Sequence, residues 1–246
     1  MSMTHDKPAG PARKRVAILQ SNYIPWKGYF DMIAAVDEFI LYDDVQFTKN
    51  DWRNRNKIKT RDGVQWLTVP VFHKLDDRIR DVRVSQTNWH DKHWKTIQQN
   101  YRKAAAFRET GEFFENLYAR ATSPFISEIN HLFITEICRF LDIPAAITWS
   151  SDYAYDGDRS ERVLSLCQAA GGTTYLSGPA AQAYLDVDLF KSAGVEVEWM
   201  DYSGYPVYPQ LHGEFDHGVS IVDLLMNTGR EATGLMKCTR PRGQDT

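Results

Sequence analysis

Two carboxylates stand side by side at Asp43-Asp44, directly after the apolar run Phe39–Tyr42. A buried strand ending on adjacent acids can offer a magnesium site, a general base, or a clamp for hydroxyl and amine groups. Neighbours on an extended chain point to opposite faces, so one acid is expected to enter a cleft and the other to cap structure. A second loaded strand end is Gln20-Ser21-Asn22-Tyr23-Ile24-Pro25-Trp26-Lys27-Gly28-Tyr29-Phe30. Its glycine allows close backbone approach, and a helix N-terminus there would suit an anion such as phosphate. It is neither a GxGxxG nor a Walker loop. The third is Tyr175-Leu176-Ser177-Gly178-Pro179, where Ser177 lacks a GxSxG context. Its hydroxyl and the backbone NH groups at Gly178 therefore read as binding donors rather than as a nucleophile.

The stretch from Lys49 to Arg61 carries Arg53, Arg55, Lys57, Lys59 and Arg61 at a period of two, interleaved with Trp52 and Asn56. An extended segment with that pattern would show one uniformly positive face, suited to the phosphates of a nucleotide, a carrier arm or a nucleic acid, and the neighbouring acids and negative net charge favour a small anionic ligand over a polynucleotide. Of the histidines, His90 and His93 fall about one helical turn apart in Trp89–Trp94. A pair without a third ligand does not specify a metal site, and His93 is the candidate acid/base group. Cys167 sits among Leu164, Leu166 and Ala170 with nothing to stabilise a thiolate, and reads as core.

Elements that can hold these residues are visible around them. Val16–Gln20 and Phe39–Tyr42 are short apolar runs flanking the helical pattern Gly28–Val36, a strand–helix–strand unit that implies a parallel sheet. Trp66–Phe72 and Ile79–Val84 are strand-like, with Pro70 favouring an edge. Trp89–Arg102, Gly111–Ala121 and Phe125–Leu141 show helical spacing and form an expected helical subdomain around 89–141. The α/β pattern then returns at strand Ala146–Trp149. Helix Arg159–Ala170 follows, opened by an Asp158/Glu161 capping box, then strand Thr173–Leu176, helix Ala180–Ala193, strand Val195–Met200 and helix Val219–Met226. The expected class is α/β, a mostly parallel sheet flanked by helices in a Rossmann-like layout. Residues 16–235 are expected to form one domain, with a disordered tail over 1–15 and a flexible terminus over 236–246.

Composition narrows the partners. The chain has 246 residues, 43% hydrophobic and 13% aromatic, with a net charge of −3. That is a globular composition with no overall positive field toward nucleic acid or anionic lipid. The apolar runs are too short to insert into a membrane. The first residues lack the apolar core of a signal peptide, and the three scattered cysteines signal neither zinc nor disulfides. A cytoplasmic protein with a small-molecule substrate is expected.

The residues Gln20–Phe30, Asp43-Asp44-Val45-Gln46-Phe47, Asn54–Lys59, Trp66–Val71, Tyr175–Gly178 and Ser220–Leu225 together resemble the WbqC-like family, in order across nearly the whole globular part. Ser21 stands where a proline is common in that family, and Met226 where an aromatic is usual. The resemblance implies a biosynthetic role of the kind associated with surface polysaccharides and specialised metabolites. On that basis the leading expectation is a transferase joining an activated acyl or aminoacyl group to an amine. Asp43 or Asp44 would hold or deprotonate the amine and His93 would assist. Gln20, Tyr23, Trp26, Tyr29, Lys49, Arg55, Asn56, Lys57, Ser177 and Gly178 would bind substrate. A thioester-linked donor, an acyl carrier, a nucleotide and magnesium are all compatible co-reactants. The alternatives are nucleotidyl transfer or adenylate formation, and a non-catalytic module that binds carbohydrate or carrier.

Overall fold

The computed structural model describes residues 13–238. In chain order the main elements are β1 (Arg15–Leu19), α1 (Lys27–Ala34), β2 (Glu38–Leu41), β3 (Arg55–Thr60), β4 (Gly63–Thr68), β5 (Val71–Phe72) and β6 (Arg83–Val84). Three helices follow, α2 (Trp89–Tyr101), α3 (Phe107–Arg120) and α4 (Ile126–Phe140). The chain then runs through β7 (Ala146–Trp149), α5 (Arg159–Ala169), β8 (Thr174–Ser177), α6 (Val187–Ser192), β9 (Glu196–Trp199) and α7 (Ile221–Thr228). Five strands make one sheet in the order β7-β2-β1-β8-β9, every pairing parallel. This is the α/β layout expected from the strand–helix–strand pattern.

The pleat divides the apolar side chains between two cores. Val16 and Ile18 of β1, Ile40 of β2 and Tyr175 of β8 pack with Leu164, Leu166 and Cys167 of α5 and Phe190 of α6. Ala17, Phe39, Leu41 and Leu176 face the other way, onto Phe30 and Ile33 of α1 and the larger core shared with α2, α3, α4 and α7. Both faces are covered, which is why β1 and β2 read as apolar runs. The helices from 89 to 141 do not stand apart; Trp89, Ile97, Phe114 and Phe133 join the core that also buries Tyr23 and Tyr29.

Several local expectations change. The Trp66–Phe72 run splits at Val69-Pro70 into β4 and β5, since proline has no N–H for the ladder. Ile79–Val84 becomes a 3-10 turn at Ile79–Asp81 followed by the two-residue β6. The expected helix Ala180–Ala193 is a 3-10 turn over Pro179–Ala183 and a separate α6, restarted where the Asp186 carboxylate accepts the Leu189 N–H at 3.0 Å. Asp158 does occupy the N-cap of α5, but its side chain caps nothing. Positive φ values at Gly157 and Arg159 set the entry of that helix instead.

Arg15, read as tail, opens β1, and Arg13 ion-pairs with Glu198 of β9. The Lys237 and Cys238 N–H groups bind the Asp31 carboxylate. The remaining positions of both expected tails, 1–12 and 239–246, lie outside the described residues. Among the described residues no helix is long and apolar enough to cross a membrane.

Candidate functional site

From β1 the chain steps to β2 on one side, whereas β8 flanks β1 on the other. The carboxyl ends of β1 and β8 are therefore the topological switch point, where parallel sheets leave a crevice. Two of the three loaded strand ends meet here, Gln20 onward from β1 and Ser177-Gly178 from β8.

The β1–α1 loop is fixed from several directions. The Ser21 N–H donates to the Asp43 carboxylate at 2.8 Å, and the Asn130 amide donates to Ser21 Oγ at 3.0 Å. The Tyr29 hydroxyl donates to the Gln20 carbonyl at 3.0 Å. The Asn56 amide donates to the carbonyls of Tyr23 and Ile24, and Ser220 Oγ donates to the Ile24 carbonyl as well. Ile24 itself has φ +36°, a region a β-branched residue rarely enters. The three hydrogen bonds around it hold that conformation in place.

Against this loop lies a pocket of about 330 Å³ lined by Asn22, Pro25, Trp26, Trp52, Asn56, Lys57 and Gly218. Its size suits a small molecule. Trp26 forms one wall, edge-on to Tyr202 at 5.1 Å. Trp52 forms another, and its ring lies 5.3 Å from that of Trp66. The two tryptophans are 38% and 39% exposed, so together they make an open aromatic shelf at the mouth. The Arg55 guanidinium sits 4.2 Å above the Trp66 ring, and the Lys57 ammonium lies 5.7 and 5.4 Å from Trp52 and Trp66. The shelf exists because the β3–β4 hairpin pairs Lys57 with Trp66 across the ladder.

The uniformly positive strand does not form. Residues 49–54 are turns, with Asn50 at φ +61°, and β3 starts only at Arg55. Arg53 turns onto Asn22 and Asp51. Lys59 is buried and donates to Gln210 Oε1 at 2.8 Å and to the Glu214 carbonyl. Lys49 and Arg61 are exposed. Of these cations Lys57 lines the pocket, while Arg55 lies over the Trp66 ring and donates to the Asn50 carbonyl.

The remaining candidates divide. Trp26, Asn56 and Lys57 meet in the pocket, whereas Arg55 does not line it and lies over the Trp66 ring. Gly178 lies near Tyr202, the ring that packs on Trp26, and Ser177 Oγ donates to the Tyr175 hydroxyl at 3.3 Å. Gln20 contributes its carbonyl to Tyr29. Tyr23, Tyr29 and His93 are interior. The Tyr23 hydroxyl lies 2.8 Å from His93 Nδ1 and 2.8 Å from the Tyr118 hydroxyl. A neutral imidazole accepting from Tyr23 satisfies that chain, and burial lowers the His93 pKa to about 4.

Asp43 and Asp44 diverge, and neither is left open. Asp43 binds the Ser21 N–H and the Ser127 hydroxyl, and burial raises its pKa against those hydrogen bonds. Asp44 binds Arg80, the Ser150 hydroxyl at 2.7 Å and the Tyr155 hydroxyl at 3.0 Å. Among the described residues no group of three or more His, Cys, Asp or Glu is arranged to hold a metal ion.

Sequence reasoning missed Asn22, Gly218 and Lys27. Lys27 stands at the first position of α1, where a cation opposes the helix dipole, and that misplacement is the signal that marks it.

The model of the WbqC-like protein family matches residues 20–234. An uncharacterized protein of Mycobacterium tuberculosis is 45% identical over 229 residues, covering 92% of this chain and 99% of that protein. No solved structure matches significantly.

Proposed function

The chain belongs to the WbqC-like family, and from that premise we propose that it is a biosynthetic transferase. It joins an activated acyl or aminoacyl group to an amine of a sugar or specialised metabolite bound in the Trp26–Trp52 pocket. The observation that carries this reading is the combination of two indole walls with the Lys57 ammonium at the switch-point loop. Indole faces stack on sugar rings and other flat or apolar surfaces. Lys57 has no carboxylate partner among the described residues and is held by ring faces, which leaves its charge for an anionic group on the donor or the acceptor. Asn56 positions the loop, since its amide is spent on the carbonyls of Tyr23 and Ile24.

A second reading has its own support. Asp43, Asp44 and His93 are all engaged in internal hydrogen bonds, which favours a module that binds carbohydrate or carrier without turnover. One experiment separates the two. Tryptophan fluorescence is titrated with amino sugars, nucleotide-linked amino sugars and acyl or aminoacyl thioesters, and mixtures are then analysed by mass spectrometry for an amide product. The transferase reading expects saturable quenching that Trp52→Ala weakens at least tenfold, together with a new amide. Saturable binding with no product from any donor–acceptor pair supports the module and overturns the transferase.

A further inference from the structure

Lys27 is buried in an unusual setting. It is 2% exposed, and its ammonium lies 4.8, 5.2 and 5.9 Å from the ring centroids of Tyr205, Tyr208 and Phe215. Its hydrogen bond is to the Pro206 carbonyl at 3.3 Å, and no carboxylate among the described residues pairs with it. Asp31, one turn along α1, is occupied by the N–H groups of Lys237 and Cys238. The other titratable groups facing Lys27 are Tyr205, Tyr208 and His217, all on the covering segment; burial first, and then Lys27 itself, lowers the His217 pKa.

Buried lysines are normally paired with acids, and cations are normally kept from helix N-termini. Lys27 breaks both rules, and the ring faces offset only part of the cost of burying the charge. Desolvation brings its pKa down to about 8, opposed by Asp31. At pH 7.5 such an amine is neutral in a fraction about 200 times that of an ordinary lysine.

The cage and the pocket share a wall. The segment from 201 to 218 has neither helix nor strand. It supplies Tyr205, Pro206, Tyr208 and Phe215 to the cage, and it ends at Gly218 on the pocket lining. Trp26, whose ring lines the pocket, lies 6.0 Å from the Tyr205 ring. Irregular segments of this length in compact folds commonly act as covers over sites.

We propose that Lys27 is the proton-accepting amine of this site, reached when the 201–218 segment lifts. The proposal rests on the acyl-transfer reading above and adds the group that moves the proton. The acceptor nitrogen attacks the carbonyl of a thioester donor, the C–N bond forms and the C–S bond breaks. The proton lost from nitrogen passes to Lys27 Nζ and from there to the departing thiolate, leaving the lysine neutral again.

Two measurements test it. Trace labelling of the intact protein with fluorodinitrobenzene, read by peptide mass spectrometry from pH 6 to 11, is expected to modify Lys27 with a half-rise near pH 8. No modification, or a half-rise near that of surface lysines, overturns the proposal. In the thioester and amino-sugar assay, Lys27→Met and Lys27→Arg are expected to keep the wild-type circular dichroism and lower kcat about 100-fold or more, with KM little changed. Unchanged kcat in both variants overturns the proton role while leaving the transfer reading standing. Absence of any product with the wild-type protein overturns the transfer reading and this proposal with it, even if Lys27 is labelled.

Discussion

His93 should make the fold acid-sensitive, by an amount that the structure sets. In the fold its ring is enclosed by Tyr23, Trp89 and Tyr118, and its pKa falls to about 4 from the ordinary 6.5 because burial disfavours the charged form. The unfolded chain therefore takes up the proton first as pH drops. Above pH 6.5 neither state binds it and the contribution is constant; below that, stability drains until the folded ring also protonates near pH 4. The gap corresponds to about 3 kcal/mol. His93→Gln keeps an acceptor for the Tyr23 hydroxyl but cannot titrate. At pH 7.5 it should be less stable than wild type by about 1–3 kcal/mol, from imperfect hydrogen bonding. Between pH 7.5 and 4 that deficit should shrink or reverse by about 3 kcal/mol. Urea unfolding followed by circular dichroism at half-unit pH steps measures both curves, and their difference cancels the carboxylates common to the two proteins. A difference that stays constant across this range would refute the neutral, buried histidine.

Other expectations concern the loop and its supports. Gly28→Ala places a Cβ 2.3 Å from the Trp26 ring, so Trp26 must swing and ligand quenching should weaken at least tenfold; unchanged quenching means that Trp26 is not a pocket wall. Asp43→Asn keeps the shape but weakens the acceptor for the Ser21 N–H and Ser127 hydroxyl. It should cost about 2–3 kcal/mol in urea melts, and a loss of activity without a loss of stability would instead give Asp43 a direct part in the chemistry. Lys59→Met removes the ties to Gln210 and Glu214. It should speed hydrogen exchange across residues 205–216 selectively, whereas uniform acceleration over the whole chain would mean general destabilisation.

The central strands β1 and β2 were legible because each carries a short apolar run, the pattern of a sheet covered on both faces, while the edge strand β9 showed as an alternation of Glu196 and Glu198 with Val197 and Trp199. The long helices were legible for the same reason, through a spacing that buries one side. The strand ends carrying Gln20, Asp43 and Ser177 followed from those runs. Breaks made by weaker local signals were not legible: α6 restarts on one aspartate cap, and β4 stops at one proline. The Asp158/Glu161 pattern has the spacing of a capping box, yet the bond is not made.

What tertiary structure alone decided is which charged and aromatic residues remain free. By pattern Arg53, Arg55, Lys57 and Lys59 are equivalent, yet Arg53 is drawn onto Asn22 and Lys59 is buried under the 201–218 segment, while Arg55 and Lys57 lie on tryptophan faces. Tyr23 and Trp26 sit three positions apart in one loop, and the first ends in the core beside His93 while the second walls the pocket. Lys27 stands out locally by its place at a helix start, but its cage formed only once residues about 180 positions later folded over it. Sequence determines periodicity, because burial on one face repeats with the local geometry. It does not reveal partners from distant segments, and those partners decide whether a lysine is a solvated charge, a structural tie or a buried amine.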